Sequence, residues 1–245
     1  MTAHPRRVQL APGYILHHRP YRDTSRILEV LARDHGRLTL FARGVRGPKP
    51  RFGGVLQPFD LLLLSFHTGR EAGQLTAAES AESAPSLPAG SLMAGFYLNE
   101  LLLKLTPRQD PVPEVFEDYR RALAGLRAGG VEAVLRVFEK RLLEAAGYGV
   151  DLTSEARTGK AVEADGFYRF QASEGVVPAR EGDADAVLGS SLFALAREEL
   201  KERRELEDAR RVLKGALAER LEGKELTTRR VARAVASRGG SRTQH

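Results

Sequence analysis

A basic stretch without acidic residues is the part of this sequence whose residue types point most directly to a chemistry. Between Asp34 and Asp60 the chain holds no acidic residue. The candidate binding residues of the stretch are Arg37, Phe41, Arg43, Arg46, Lys49 and Arg51. Cations that flank an aromatic ring suit a chain of phosphates whose bases stack beside it. The alternative interpretation is a solvated hairpin with a charged tip.

The residue pattern also predicts which elements carry these side chains. Alternation of apolar and polar residues from Arg37 to Arg43 predicts a strand, with Phe41 on the same face as both arginines. The strand ends at Gly44, and the Gly and Pro residues up to Gly54 predict a loop. A basic strand face therefore leads directly into a basic loop.

The charge of the chain is distributed unevenly. Residues 1–80 hold twelve Lys and Arg against six Asp and Glu, whereas residues 81–228 carry a net charge of −5. Residues 229–245 hold five Arg and no acid, and the whole chain carries +6. Such asymmetry predicts a polyanionic partner for the two ends and another role for the middle. Arg229, Arg230 and Arg233 are the candidates for auxiliary DNA binding near the carboxyl end.

Signatures of catalysis and of metal binding are missing from the sequence. There is no cysteine, which excludes disulfides and thiolate ligands, and the six histidines include no helical i,i+4 pair. His17 and His18 are adjacent on a predicted strand and therefore point to opposite faces. Neither a Gly-x-x-x-x-Gly-Lys phosphate loop nor a Gly-x-Ser-x-Gly elbow occurs. We expect no catalytic residue, no metal, no cofactor and no enzymatic activity.

The hydrophobic pattern predicts an α+β fold. Five short strands between Gly13 and Ser80 indicate an N-terminal five-stranded barrel of the oligonucleotide-binding (OB) kind, with an SH3-type barrel as the alternative. An α-helical domain with a loop-rich insertion follows, and the insertion has one short strand at 167–170. Helices are predicted at 91–106, 113–128, 131–146, 191–204, 206–221 and 227–236. The predicted domains are an OB domain at 1–83, a helical domain at 91–149 and 188–237, and the insertion at 150–187.

The order of these segments resembles the RecO family of bacterial DNA repair and recombination mediators. The matching pieces are GYILHHRPYRDTSRILEVLARDHGRLTLFARGVRGPK, LQPF, FYLNELLLKL, FEKRLLEAAGYG and LEGKEL. The resemblance implies binding of single- and double-stranded DNA and annealing of complementary strands, including strands coated by single-stranded-DNA-binding protein (SSB). It further implies cooperation with RecR and, indirectly, with RecA. Some members carry a four-cysteine zinc site in the insertion, so this chain resembles the zinc-free branch.

The resemblance also supplies a protein ligand, the acidic C-terminal tail of SSB. Such a tail needs an apolar pocket with a cation at its mouth. The predicted pocket comprises Phe96, Arg136, Phe138, Lys140, Arg141 and Leu142, and Arg136 is the favoured carboxylate ligand. The alternative function is an OB-fold adaptor that binds proteins and only weakly binds DNA. No signal peptide or membrane span is evident in the sequence, so a cytoplasmic, nucleoid-associated protein is expected.

Overall fold

Two units, Met1–Arg127 and Ala128–His245, make up the structure, which is a computed structural model. It describes residues 6–46, 50–52, 54–82, 84–221, 226–228 and 230–231.

A closed barrel of five strands dominates the first unit. The strands are β1 (Arg7–Tyr21), β2 (Ser25–Ala32), β3 (Gly36–Ala42), β4 (Leu62–His67) and β5 (Gly73–Ser80). Their order around the barrel is β1-β2-β3-β5-β4, and β1 also pairs with β4. Alternating residues of these strands, such as Leu28, Leu40 and Leu75, fill the interior. The predicted OB barrel is confirmed.

The first strand closes the barrel because it is long enough to pair twice. Its second half pairs with β2 from Gly13 to Tyr21, and its first half pairs with β4 from Arg7 to Gly13. The register shifts between Val8 and Ala11, where Leu10 has a positive φ of 51°. Such a bulge bends a strand and increases its twist, which suits a strand that must turn around a small barrel.

Two helices lie against the barrel within the first unit. A 3₁₀ turn at Ala89–Ser91 leads into α1 (Leu92–Leu105), and α2 (Pro113–Arg127) follows. Asn99 of α1 is buried and donates its amide Nδ2 to the carbonyl oxygen of Leu16 in β1 at 2.8 Å. The ring of Tyr14 in β1 contacts Phe116 and Tyr119 of α2, with centroids 5.3 and 5.1 Å apart. These contacts cover the middle of β1.

The second unit has three helices and a small sheet, and its described residues 227–228 and 230–231, within the predicted helix 227–236, are also helical. Its elements are α3 (Val131–Ala145), β6 (Phe167–Gln171), β7 (Gly175–Pro178), β8 (Val187–Leu188), α4 (Gly189–Arg197) and α5 (Arg203–Arg220). The sheet order is β7-β6-β8. The insertion was predicted to hold one strand, and the structure adds the two short partners of that strand.

The fourth helix is shorter than predicted. It ends at Arg197 because Glu198 adopts a left-handed conformation, with φ 62° and ψ 28°. The backbone N–H groups of Glu198 and Glu199 donate to the carbonyls of Leu195 and Ala194, which closes the last turn. Within the part of the chain that the structure describes, no helix is both long and apolar enough to cross a membrane.

Candidate nucleic-acid interface

The predicted basic residues begin on β3, where Arg37 is held in a polar network. Its guanidinium pairs with the Glu29 carboxylate at 3.3 Å and donates twice to the carbonyl oxygen of Thr106, at 3.1 and 3.0 Å. Only 12% of the Arg37 side chain is exposed. Burial lowers the pKa of Arg37, and the Glu29 carboxylate opposes that shift. Arg37 therefore joins β2, β3 and the segment after α1, and it offers little surface to a ligand.

Phe41 lies on the outer face of the barrel and contacts an aromatic residue that sequence reasoning missed. Its ring centroid is 5.3 Å from that of Tyr21, the last residue of β1. Tyr21 is 36% exposed, and the Arg22 guanidinium carbon lies 5.3 Å from its ring centroid. The two rings meet because β1 and β3 both pair with β2. The sequence did contain a signal for this contact, because Tyr21 is an aromatic residue between Arg19 and Arg22 at a predicted turn.

The basic loop after β3 is anchored at both of its described ends. Gly44 has a φ of 68°, which lets the chain reverse as it leaves β3. The backbone N–H groups of Val45 and Arg46 then donate to the carbonyl of Thr24, at 2.8 and 3.2 Å. The Arg46 guanidinium also donates to the carbonyl of Arg22. The loop therefore lies against the β1–β2 turn that presents Tyr21.

The far end of the loop lies against β5. The backbone N–H of Arg51 donates to the carbonyl of Gly44 at 2.8 Å, and its guanidinium donates to the carbonyl of Thr76 at 2.9 Å. Arg43 and Arg51 are exposed, and Arg46 is half-buried. Lys49 lies outside the described residues. The structure thus brings Phe41, Arg43, Arg46 and Arg51 to one side of the barrel together with Tyr21 and Arg22.

The residues predicted to hold the SSB tail are divided between the two units. Phe96 lies on α1 of the first unit, is 42% exposed, and has its ring centroid 5.0 Å from that of Phe59. The other five are on α3. Phe138 and Leu142 are each 2% exposed, so they form part of the core of the second unit.

Arg136 and the two cations beyond it are engaged with carboxylates. Arg136 is 8% exposed and donates to Oε1 of the buried Glu139 at 2.7 Å. Lys140 and Arg141 both donate to the Glu198 carboxylate. Lys140 Nζ lies 3.1 Å from Oε1, and Arg141 Nε lies 3.0 Å from each of the two oxygens. The Arg141 hydrogen bond, together with Lys140, lowers the pKa of Glu198 despite its partial burial. Lys140 and Arg141 thus form a carboxylate-binding pair on α3.

The remaining predicted positions lie near the end of the chain. Arg230 is exposed, whereas Arg229 and Arg233 lie outside the described residues. Among the described residues, no group of three or more His, Asp or Glu side chains is placed to share a metal ion.

The structure is therefore that of an OB-barrel protein with an added helical unit, and its barrel has a basic and aromatic outer face. The chain matches the family description "Recombination protein O N terminal" over residues 8–84 and "Recombination protein O C terminal" over residues 90–230. The chain belongs to the RecO family, so the resemblance drawn from its sequence motifs is confirmed.

Several curated relatives are similar to the chain over nearly their whole length. The DNA repair protein RecO of Methylococcus capsulatus is 41% identical over 230 residues, which cover 94% of this chain and 95% of the relative. The DNA repair protein RecO of Nitrosococcus oceani is 42% identical over 227 residues, covering 91% and 92%. That of an Azoarcus species is 39% identical over 232 residues, covering 92% and 95%.

Proposed function

We propose that this chain is a recombination mediator of the RecF–RecO–RecR pathway. In this role it binds single- and double-stranded DNA and anneals complementary strands, including strands coated by SSB. With RecR it promotes the loading of RecA. Membership of the RecO family supports the pathway, and the DNA repair name of the relatives at 39–42% identity supports the process.

The observation that carries the DNA-binding proposal is the grouping of rings and cations on one side of the barrel. The Tyr21–Phe41 pair offers a surface on which an unpaired base can stack, and Arg22 already lies against it. Arg43 follows β3 directly, and Arg46 and Arg51 lie on the next loop, whose described ends are anchored to the β1–β2 turn and to β5. Because the contacts are to phosphates and to base faces, binding is expected to be independent of sequence.

A second part of the proposal concerns the SSB tail, and it is supported by the carboxylate-binding pair on α3. Arg141 engages both oxygens of Glu198, the bidentate geometry that an arginine offers to a carboxylate. Of the three candidate cations, Arg141 has the most exposed side chain, at 30%, against 14% for Lys140 and 10% for Arg136. We therefore propose that the tail carboxylate displaces the Glu198 carboxylate from Arg141, in preference to binding at Arg136.

The proposed activity requires no nucleotide hydrolysis and no bound cofactor. The sequence has no phosphate-binding loop, and annealing needs only the neutralisation of phosphates and access to the bases. The chain is accordingly proposed to act as a binding protein and not as an enzyme.

One experiment tests both parts of the proposal: annealing of complementary oligonucleotides without nucleotide, using naked strands and SSB-coated strands. The Arg43→Glu/Arg46→Glu variant should lose most DNA binding and most annealing with both kinds of strand. Binding by the wild-type chain should weaken as salt rises, with a log–log slope of about −3, if about four phosphates are neutralised at about −0.7 each. The matched control is Arg33→Glu/Arg121→Glu, which changes the same charge at exposed sites away from the loop.

The Arg141→Ala variant separates the SSB part from the DNA part. It should slow the annealing of coated strands and leave naked strands unaffected. Arg203→Ala removes an equivalent, 92% exposed cation from the same unit and serves as its control. Annealing that is insensitive to the loop variant would contradict the DNA site. Binding to SSB with little binding to DNA would favour a protein adaptor.

A further inference from the structure

The register of the barrel strands aligns six residues in one row across its outer surface. Each residue of the row is the direct cross-strand partner of the next. In order, the row is Arg19, Ile27, Phe41, Gln74, His67 and Arg7. It takes one residue from each of β2, β3, β5 and β4, and it begins and ends on β1.

The whole row faces away from the barrel interior. The chain neighbours Leu28, Leu40, Phe66 and Leu75 belong to the core, and successive side chains of a strand point to opposite faces. Arg7, Arg19 and His67 are accordingly exposed, and Phe41 and Gln74 are half-buried. Ile27 is 6% exposed and forms the apolar floor beside Phe41.

The side chains of the row match the chemistry of a nucleic-acid strand. An arginine stands at each end for phosphates, and an aromatic ring beside an aliphatic floor lies between them for a base. The Gln74 amide nitrogen donates to the carbonyl of Phe41 at 3.0 Å, which fixes that side chain across the β3–β5 seam. None of the six residues is acidic. At about 4.8 Å between neighbouring strands, the five steps of the row cover about 24 Å.

The surroundings of the row add further cations. Arg6 is exposed beside Arg7, and its backbone exchanges hydrogen bonds with Thr68, at 2.9 and 2.8 Å. Arg51 reaches the carbonyl of Thr76, two residues along β5 from Gln74. Cations therefore lie at both ends of the row, and Arg51 lies near its β5 residue.

The path of the row favours one form of nucleic acid. The row leaves β1 at Arg19 and returns to the same strand at Arg7, so it winds around the curved barrel surface. Duplex DNA has a persistence length of about 150 base pairs and cannot follow such a path without a large bending cost. An unpaired strand is flexible and can expose its bases to the ring of Phe41.

We propose that a single strand of DNA follows this row around the barrel, with phosphates at Arg19 and Arg7 and a base at Phe41. This inference rests on the proposed DNA-binding function and extends that site to β4, β5 and the start of β1. We call this row the single-strand track; it adds four residues to the proposed site, namely Arg7, Arg19, Gln74 and His67.

The test compares binding of oligothymidylate and of a duplex, each of about 16 units, the upper site size of an OB fold. The Arg7→Glu/Arg19→Glu variant should bind the single strand at least tenfold more weakly than the wild-type chain. Its log–log salt slope should be shallower by about 1.4, for two phosphate contacts at about 0.7 each. Its duplex affinity should change no more than that of Arg33→Glu/Arg121→Glu, which carries the same change in charge.

The outcomes distinguish this inference from the function on which it rests. If Arg7→Glu/Arg19→Glu and its control Arg33→Glu/Arg121→Glu bind the single strand equally well, the track is overturned. This holds even if Arg43→Glu/Arg46→Glu abolishes binding. An equal loss on duplex would overturn the selection of single strands. A wild-type chain that bound neither DNA would overturn the proposed function and the track together. The milder Arg7→Gln/Arg19→Gln variant should show the same preference with smaller losses, provided that its thermal unfolding matches wild type.

Discussion

Glu198 shows how a single side chain can fix a backbone conformation that its own type disfavours. Its φ of 62° is a region that glycine occupies freely and other residues occupy at a cost. Lys140 and Arg141 hold its carboxylate from α3, and Lys140 also contacts Glu144 at 3.1 Å. Burial alone would lower the pKa of Lys140, but the hydrogen bonds to Glu198 and Glu144 raise it. The ion pair therefore stabilises the charged forms of both partners.

We expect Glu198→Gln to lower the free energy of unfolding at pH 7 by about 1–2 kcal/mol. Since the pKa of Glu198 is lowered in the folded chain, its stabilisation is present above the unfolded pKa of about 4.3 and is lost as the pH falls through the folded value. The difference between the variant and wild type should therefore shrink below about pH 4. Denaturant unfolding between pH 7 and pH 3 measures this.

Glu199→Gln provides the control, because Glu199 is the exposed neighbour of Glu198. A destabilisation by Glu198→Gln that stayed constant down to pH 3 would assign it to lost packing instead of lost charge.

For single residues, the sequence predicted which side chains face outward better than it predicted how deeply they are buried and which partners they contact. Phe41 was placed correctly on an outer face, because strand alternation fixes facing. The Thr106 partner of Arg37 could not be predicted, because it reaches Arg37 only through the packing of a helix end against a strand. Glu139 lies three residues after Arg136 on α3, so that pairing follows from helical spacing, whereas the burial of the pair does not. Tyr21 was missed because its contact with Phe41 depends on pairing of both strands with β2.

Among the elements, α1 depends on a buried amide for its position on the barrel. Asn99 is 2% exposed, donates to the Leu16 carbonyl and accepts from the Tyr119 hydroxyl at 2.5 Å. These two bonds connect α1 with β1 and with α2. Burial raises the pKa of Tyr119 far above its ordinary value, so the hydroxyl stays protonated and keeps its role as a donor.

We expect Asn99→Ala to lower the free energy of unfolding by about 2–3 kcal/mol, because it leaves the buried Leu16 carbonyl without the amide and opens a cavity. Tyr119→Phe removes only the hydroxyl and should cost about 1 kcal/mol. Thermal or denaturant unfolding measures both. Equal losses in the two variants would place the main contribution in the Tyr119–Asn99 bond, and a loss under about 0.5 kcal/mol in both would contradict a structural role for Asn99.

Element prediction from sequence succeeded where periodicity was strong and failed where pairing was non-local. The bounds of α1, α2 and α3 agree with the predicted helices within two residues, because apolar spacing and the flanking Pro and Gly define them. The sheet β7-β6-β8 was predicted only in its central strand. The two partners are four and two residues long, too short for an alternating pattern to be recognised.

At the scale of the whole molecule, aromatic packing holds the cysteine-free insertion together. Tyr168 is 4% exposed, and its hydroxyl accepts from the backbone N–H of Glu163 at 2.9 Å. Phe170 lies so close to α5 that a Cβ at Gly215 would come within 2.8 Å of its ring. A glycine at that position lets the sheet approach the helix.

We therefore expect the chain to fold without metal. Treatment with a chelator should leave both the unfolding transition and DNA binding unchanged, since packing supplies the contacts that a metal would otherwise provide. Calorimetry with and without chelator, alongside elemental analysis of the untagged protein, checks this. Stoichiometric zinc, or a lower unfolding temperature after chelation, would contradict the expectation.

The barrel as a whole was predictable from its strand spacing, but the manner of its closure was not. Strand β1 was predicted to begin at Gly13, and the six residues before it, with the bulge at Leu10, belong to the strand as well. Those residues are what pair with β4. Their pairing partners lie between 51 positions (Pro12 with Leu63) and 60 positions (Arg7 with His67) away, so no local pattern could indicate them.

Closure of the barrel has a consequence for how proteins can dock on it. A sheet with an open edge invites a partner to add a strand through backbone hydrogen bonds. Here β1 pairs on both sides, and the short β3–β5 seam is flanked by a bridge from Arg37 to Arg108 and by the Arg51 contact to Thr76. Within the described residues the strands form a closed barrel, although β3 and β5 pair only where Leu40 and Phe41 meet Gly73 and Gln74. A partner protein that docks on the paired parts of the barrel must recognise side chains, because the backbone groups of those strands are already engaged in hydrogen bonds with their neighbours.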